Sequence, residues 1–198
     1  MKKSLLFDGR DLIDALEKGM TRSGIFFVAL NILKQFLQSA AFDITILTRP
    51  FDTQAIKKIV KEELGYDVKF YFDGYKHLEK LTDIHTKRVK YKKEKKHLLK
   101  KYWGIMEKIY TPSYKSDKFF DLYFSPKLAF LPEIRCNQRF LILHDAIPLI
   151  FPELSKDFIK RKGWFFKVVD GLNGTDNYFS VSQYTKNDFL KLIPQLKS

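Results

Sequence analysis

The chain has 198 residues and a formal net charge of +13, from 36 Lys+Arg against 23 Asp+Glu. That length holds one domain, or at most two small ones, with enough chain to bury a core. Apolar residues at 45%, with nineteen Phe and ten Tyr, exclude a disordered tail, and the single cysteine, Cys136, excludes an intrachain disulfide and a multi-cysteine zinc site.

The predicted elements alternate strand and helix. Ser4–Asp8 is a short apolar strand ending on a carboxylate, and a polar loop follows from Gly9 to about Thr21. Arg22–Ala40 reads as a helix apolar on most faces, hence buried. Its greasiest run, Gly24–Leu33, is about half of the ~20 residues a membrane span needs. Asp43–Thr48 is a second strand, stopped by Arg49-Pro50. Asp52 then caps a helix over Thr53–Leu64, with Gly65 just past its end.

Tyr66–Phe72 is the third strand. Asp121–Ser125 is the fourth and halts at Pro126, and Arg139–Leu143 is a nearly continuous apolar run suited to a central parallel strand. A loop bounded by Pro148 and Pro152 leads to a helix over Ser155–Gly171. Asn173-Gly174-Thr175 reads as a turn rather than a glycosylation site, because Met1–Arg10 is too polar for a secretory signal. Asn177–Val181 is the last strand, and Ser182 caps a final helix to about Leu192. The expected fold is α/β: an open, mostly parallel Rossmann-like sheet with helices on both faces. The lack of GxGxxG argues against a nicotinamide site.

The charge is concentrated. Lys87–Lys108 holds ten Lys/Arg and two Glu, so +8 of the +13 lies in one segment. Its first part is polar nearly all round, and Leu98, Leu99, Tyr102, Ile105, Met106 and Ile109 recur at helical spacing in the second. This reads as a basic helical insertion around 85–110. Lys92, Lys93, Lys95 and Lys96 offer a surface for anionic lipid or, less favoured without a nucleic-acid motif, for phosphates of nucleic acid. The plainer reading is a solvated lysine face.

Ligands of open parallel sheets bind beyond the carboxyl ends of the strands. Three places qualify here. One is the helix start at Arg22, Ser23 and Gly24, where backbone N–H groups can meet an anion. The second is His144-Asp145 after the most apolar strand, a proton shuttle or hydrogen-bonding pair, or a histidine satisfied by loop backbone. The third is Ser182, which a helix cap alone would explain. Asp8 stands on the same rim. Cys136 has no local partner and reads as structural. The four histidines are scattered, so no metal site is expected.

Asp8-Gly9-Arg10, Gly24-Ile25 opening an apolar helix, Phe140–Pro148 with its His144-Asp145 and Pro148, and Phe179–Asp188 with Ser182, Thr185, Lys186 and Asp188 stand in a telling order. Together they resemble the N-terminal, acceptor-side half of GT-B glycosyltransferases of family four, builders of bacterial cell-surface polysaccharides such as lipopolysaccharide. The resemblance covers nearly all of residues 1–198. It implies a retaining sugar transfer from a nucleotide-sugar to a glycan or lipid-linked acceptor, with Gly24 near the donor phosphates and His144 in a polar, non-covalent role at the transferred sugar. Asp8, Arg22, Ser23, Asp145 and Ser182 would line the substrate. Where the family carries a double glycine, this chain has Ser23-Gly24. The family's nucleotide-sugar domain, with its E-x7-E motif, has no counterpart here. The resemblance therefore implies an isolated half that binds no cofactor itself, is inactive without the donor domain, and works in the cytoplasm at the inner membrane face. The alternative is a non-enzymatic basic module on anionic membrane or nucleic acid.

Overall fold

A computed structural model describes residues 2–10, 12, 24–48, 53–71, 118–126, 134–151, 169 and 171–197. Its strands are β1 (Lys3–Asp8), β2 (Phe42–Leu47), β3 (Lys69–Tyr71), β4 (Phe120–Ser125), β5 (Cys136–Leu143) and β6 (Asn177–Ser180). They form one open sheet in the order β3-β2-β1-β4-β5-β6, and every neighbouring pair is parallel. The α/β architecture read from the sequence is present, with a wholly parallel sheet among the described residues.

Burial explains the order. In β1, Leu5, Leu6 and Phe7 are all buried, so both faces of this strand are covered. Leu5 and Phe7 point to the face packed by α1 (Gly24–Gln38) and α2 (Thr53–Ile59), through Phe26, Ala29, Leu33, Ile56 and Ile59. Phe7 stacks on Phe124 at 5.8 Å, and Phe36 meets both rings edge-on. Leu6 belongs to the opposite face with Leu47, Tyr123 and Phe120. At β5 the same alternation sends Ile142 to the α1 face. Leu143 goes to the other, where Phe189 of α4 (Gln183–Leu192) and Ile193 cover it. Helices thus lie on both faces.

Several boundaries differ from expectation. Arg139–Leu143 begins three residues earlier, because Cys136 and Gln138 pair with Phe120 and Leu122 of β4 although their pattern is polar. The third strand is only Lys69–Tyr71, since pairing with β2 starts at Thr45↔Lys69. Thr53–Leu64 is helical throughout, but its last turn, Val60–Leu64, widens to a π-helix. Gly65 closes it at φ 77°, the left-handed conformation that favours glycine. The loop expected at Pro148 contains a short helix, α3 (Ile147–Ile150), with proline in its first turn, where its missing N–H is not needed. Asn173 does form a turn, its Oδ1 accepting from Thr175 N at 2.9 Å. Its amide also donates to Asp176, which Arg139 pairs with at 2.8 Å, and this fixes the approach to β6. The basic segment 87–108, the cap Asp52 and nearly all of the Ser155–Gly171 helix lie outside the described residues.

Candidate functional site at the carboxyl rim

All strands run the same way, so their carboxyl ends share one rim. The chain steps outward from β1 to β2 and β3, then returns to the other side of β1 with β4. The reversal of strand order falls between β1 and β4, the usual ligand position of such sheets. Asp8-Gly9-Arg10 leaves β1 at this point, Ser125-Pro126 leaves β4, and His144-Asp145 leaves β5 next door.

Asp8 is 2% exposed and fully engaged. Its Oδ1 accepts from Arg10 Nε at 2.8 Å and from Arg10 backbone N at 3.2 Å. Its Oδ2 accepts from Arg10 Nη2 and from the Tyr123 hydroxyl, the latter at 2.9 Å. Burial by itself would push the Asp8 carboxyl up. The Arg10 charge and the hydrogen bonds from Arg10 and Tyr123 outweigh it, and the group is held below its ordinary range. Burial, with Asp8 beside it, drives the Tyr123 phenol well above its usual value. Asp8 is thus an anion and Tyr123 a neutral donor at neutral pH. Gly9 keeps the turn tight: a Cβ there would lie 2.5 Å from Ile46 Cγ2.

His144 is half-buried, and its Nε2 lies 2.8 Å from the Pro126 carbonyl. A carbonyl only accepts, so Nε2 carries a proton, and in the neutral tautomer Nδ1 is the ring's acceptor. The backbone of His144 is anchored too. Its carbonyl accepts from Thr185 Oγ1 at 3.2 Å, and Val181 N donates to Leu143 O at 3.2 Å. Ser182 caps α4, its hydroxyl accepting from Thr185 N at 3.1 Å. Ser182 therefore supports the turn that holds His144. Asp145 is exposed, and its Oδ1 accepts from Ile147 N at 3.2 Å to start α3.

Of the residues expected from sequence, Asp8 ends β1, His144 and Asp145 follow β5, and Ser182 follows β6. Gly24 opens α1, where an added Cβ would meet nothing within 4 Å, so packing does not require glycine there. Arg22, Ser23, Lys92, Lys93, Lys95 and Lys96 lie outside the described residues. Sequence reading missed Tyr123 and the clamping role of Arg10. Only the register, which sets Tyr123 beside Leu6, two residues before Asp8, brings that phenol to the carboxylate. Cys136 is half-buried, and burial raises its thiol, in keeping with a structural role. Among the described residues no group of acidic, His or Cys side chains could hold a metal, and no helix is long and apolar enough to cross a membrane. No protein family, curated protein or solved structure matches the chain.

Proposed function

We propose that the carboxyl rim of β1, β4 and β5 binds the acceptor of a retaining sugar transfer, across a cleft from a nucleotide-sugar held by a second domain. One observation carries this reading: the reversal of strand order between β1 and β4 coincides with a pre-arranged polar set, Arg10 clamped by Asp8 and His144 fixed from both its ring and its backbone. Such a site suits a polyhydroxyl ligand. His144 Nδ1 accepts from a sugar hydroxyl. Arg10 donates or offsets negative charge on the donor side, and Asp8 is its positioning residue. Gly24 leaves α1 open for close approach of a ligand to its first turn. The sequence resemblance to acceptor-side glycosyltransferase domains supplies the reaction class. The competing module that docks on membrane or nucleic acid rests on the 87–108 segment alone.

Saturation-transfer NMR on the 198-residue chain, with a panel of hexose disaccharides and with nucleotides as controls, tests the assignment. The expected result is glycan saturation that His144→Ala removes while the fold persists. Unchanged glycan contacts in folded His144→Ala and Arg10→Gln variants would overturn it, as would binding of nucleotide alone.

A further inference from the structure

A second cavity opens beside the rim, between the outer strand β6 and α4. It has a volume of about 460 Å³, within the ~300–1,000 Å³ of small-molecule sites. Its inner wall is apolar: Leu143 and Phe189 come from the buried cluster on that face, and Leu190 and Leu196 extend it outward. The mouth is polar. Ser180 and Lys186 line it, and neither the hydroxyl nor the ammonium makes a hydrogen bond or ion pair among the described residues. Among the described residues Lys186 is the sole charged one in the lining, and no carboxylate of theirs faces it there.

The strand that forms one side adds to this. β6 pairs with β5 only, so its other edge is unpaired among the described residues. Asn177–Ser180 carries no charge, whereas the opposite outer strand carries Lys69, paired with Asp43 at 2.8 Å. A charged side chain is the usual guard of a sheet edge, and β6 lacks it. Phe179, 53% exposed, turns to the other face of the sheet, where its ring stacks on Phe140 at 6.0 Å. An apolar wall with a cation and a hydroxyl that are unpaired among the described residues matches a molecule that is apolar at one end and anionic at the other.

We propose that this groove binds a single-chain anionic amphiphile, with its alkyl portion against Leu143, Phe189, Leu190 and Leu196 and its phosphate or carboxylate on Lys186 and Ser180. The inference does not depend on sugar chemistry at His144: the groove binds its ligand whether or not the rim binds glycans. Titration calorimetry of the full 198-residue chain with dodecyl phosphate below its micelle concentration tests it. Inorganic phosphate serves as the head-only control and dodecyltrimethylammonium as the oppositely charged one. We expect saturable binding of dodecyl phosphate alone, weakened about tenfold by Lys186→Gln through loss of one charge-assisted contact. Leu190→Trp should abolish it by filling the wall. Amide NMR shifts in the unmodified chain should centre on Ser180, Gln183 and Lys186, which keeps the test decisive if Leu190→Trp fails to fold. Equal affinity for inorganic phosphate or for the ammonium amphiphile would overturn the proposal. So would unaltered binding to Lys186→Gln, or shifts centred elsewhere.

Discussion

Replacing Asp8 by Asn removes one charge from a buried, bidentate pair and leaves Arg10 facing an amide. Truncating one partner of a buried pair costs about 3–5 kcal/mol. The Arg10 side chain is 18% exposed, so water can solvate it in part, which sets the expectation at the low end, about 3 kcal/mol. With a urea m-value of about 2 kcal/mol/M, that is roughly a 1.5 M drop in midpoint at pH 7. The pH dependence gives a sharper test. The folded Asp8 carboxyl sits below its ordinary value of 3.8, so the folded state binds fewer protons than the unfolded chain as that value is approached from above. Its contribution is full above that value and is lost as pH falls through it toward the lower folded value. Asparagine does not titrate. The gap between the two proteins should therefore be widest near neutrality and shrink by pH 3. Asp43, Asp67 and Asp121 are also lowered, but they are present in both proteins and cancel in the difference. Urea titrations at pH 7 and pH 3 read this directly. A gap that stays constant between them would refute the reasoning, because the lost interaction would then not be that of an ionised carboxylate.

Gly9→Ala should destabilise by about 1–3 kcal/mol in thermal or urea unfolding, since its Cβ meets the branched side chain of buried Ile46 and has no flexible tip to push aside. Gly65→Ala should cost about 1 kcal/mol through its φ of 77°, and Gly65→Asn less, although an added Cβ would meet nothing within 4 Å. Ser182→Ala should cost about 1 kcal/mol by removing the cap on Thr185 N, with Ser182→Gly costing only a few tenths. The Cys136 thiol, raised by burial, should react with a maleimide well below the rate of a free thiol at pH 7.5 and approach it only in denaturant.

What the chain reveals of its own fold follows from where local chemistry and tertiary pairing agree. β1, β2 and β4 are legible because their apolar runs are buried on both faces and end abruptly at Asp8, Thr48 and Pro126. Gly65 and Ser182 are legible because a left-handed closure and an N-cap each demand a particular residue type. Cys136-Asn137-Gln138 is strand for a different reason: β4 supplies hydrogen-bond partners, and no periodicity announces that. Tyr66 and Val68 show the converse. They pack on the core and look like strand, yet the ladder begins only at Lys69. The site divides the same way. Asp8 and His144 could be found because one ends a strand and the other directly follows one. Tyr123 could not, because its value lies in which residue of a neighbouring strand it reaches.

Those partners also decide what each rim residue can do. A carboxylate at the end of a central strand invites the role of general base, but a base needs a free lone pair and a pKa near the working pH. Asp8 has neither: both oxygens accept from Arg10, one also from Tyr123, and the carboxyl is pushed down rather than up. Its effect on a ligand must pass through the direction in which it holds Arg10. His144 is arranged the opposite way. Pro126 occupies one ring nitrogen and Thr185 fixes the backbone, so that in the neutral tautomer Nδ1 is the acceptor. The rim therefore carries a cation of fixed aim at the end of β1 and, after β5, a histidine with one ring nitrogen engaged, the two groups on which the proposed binding of a hydroxyl-rich ligand rests.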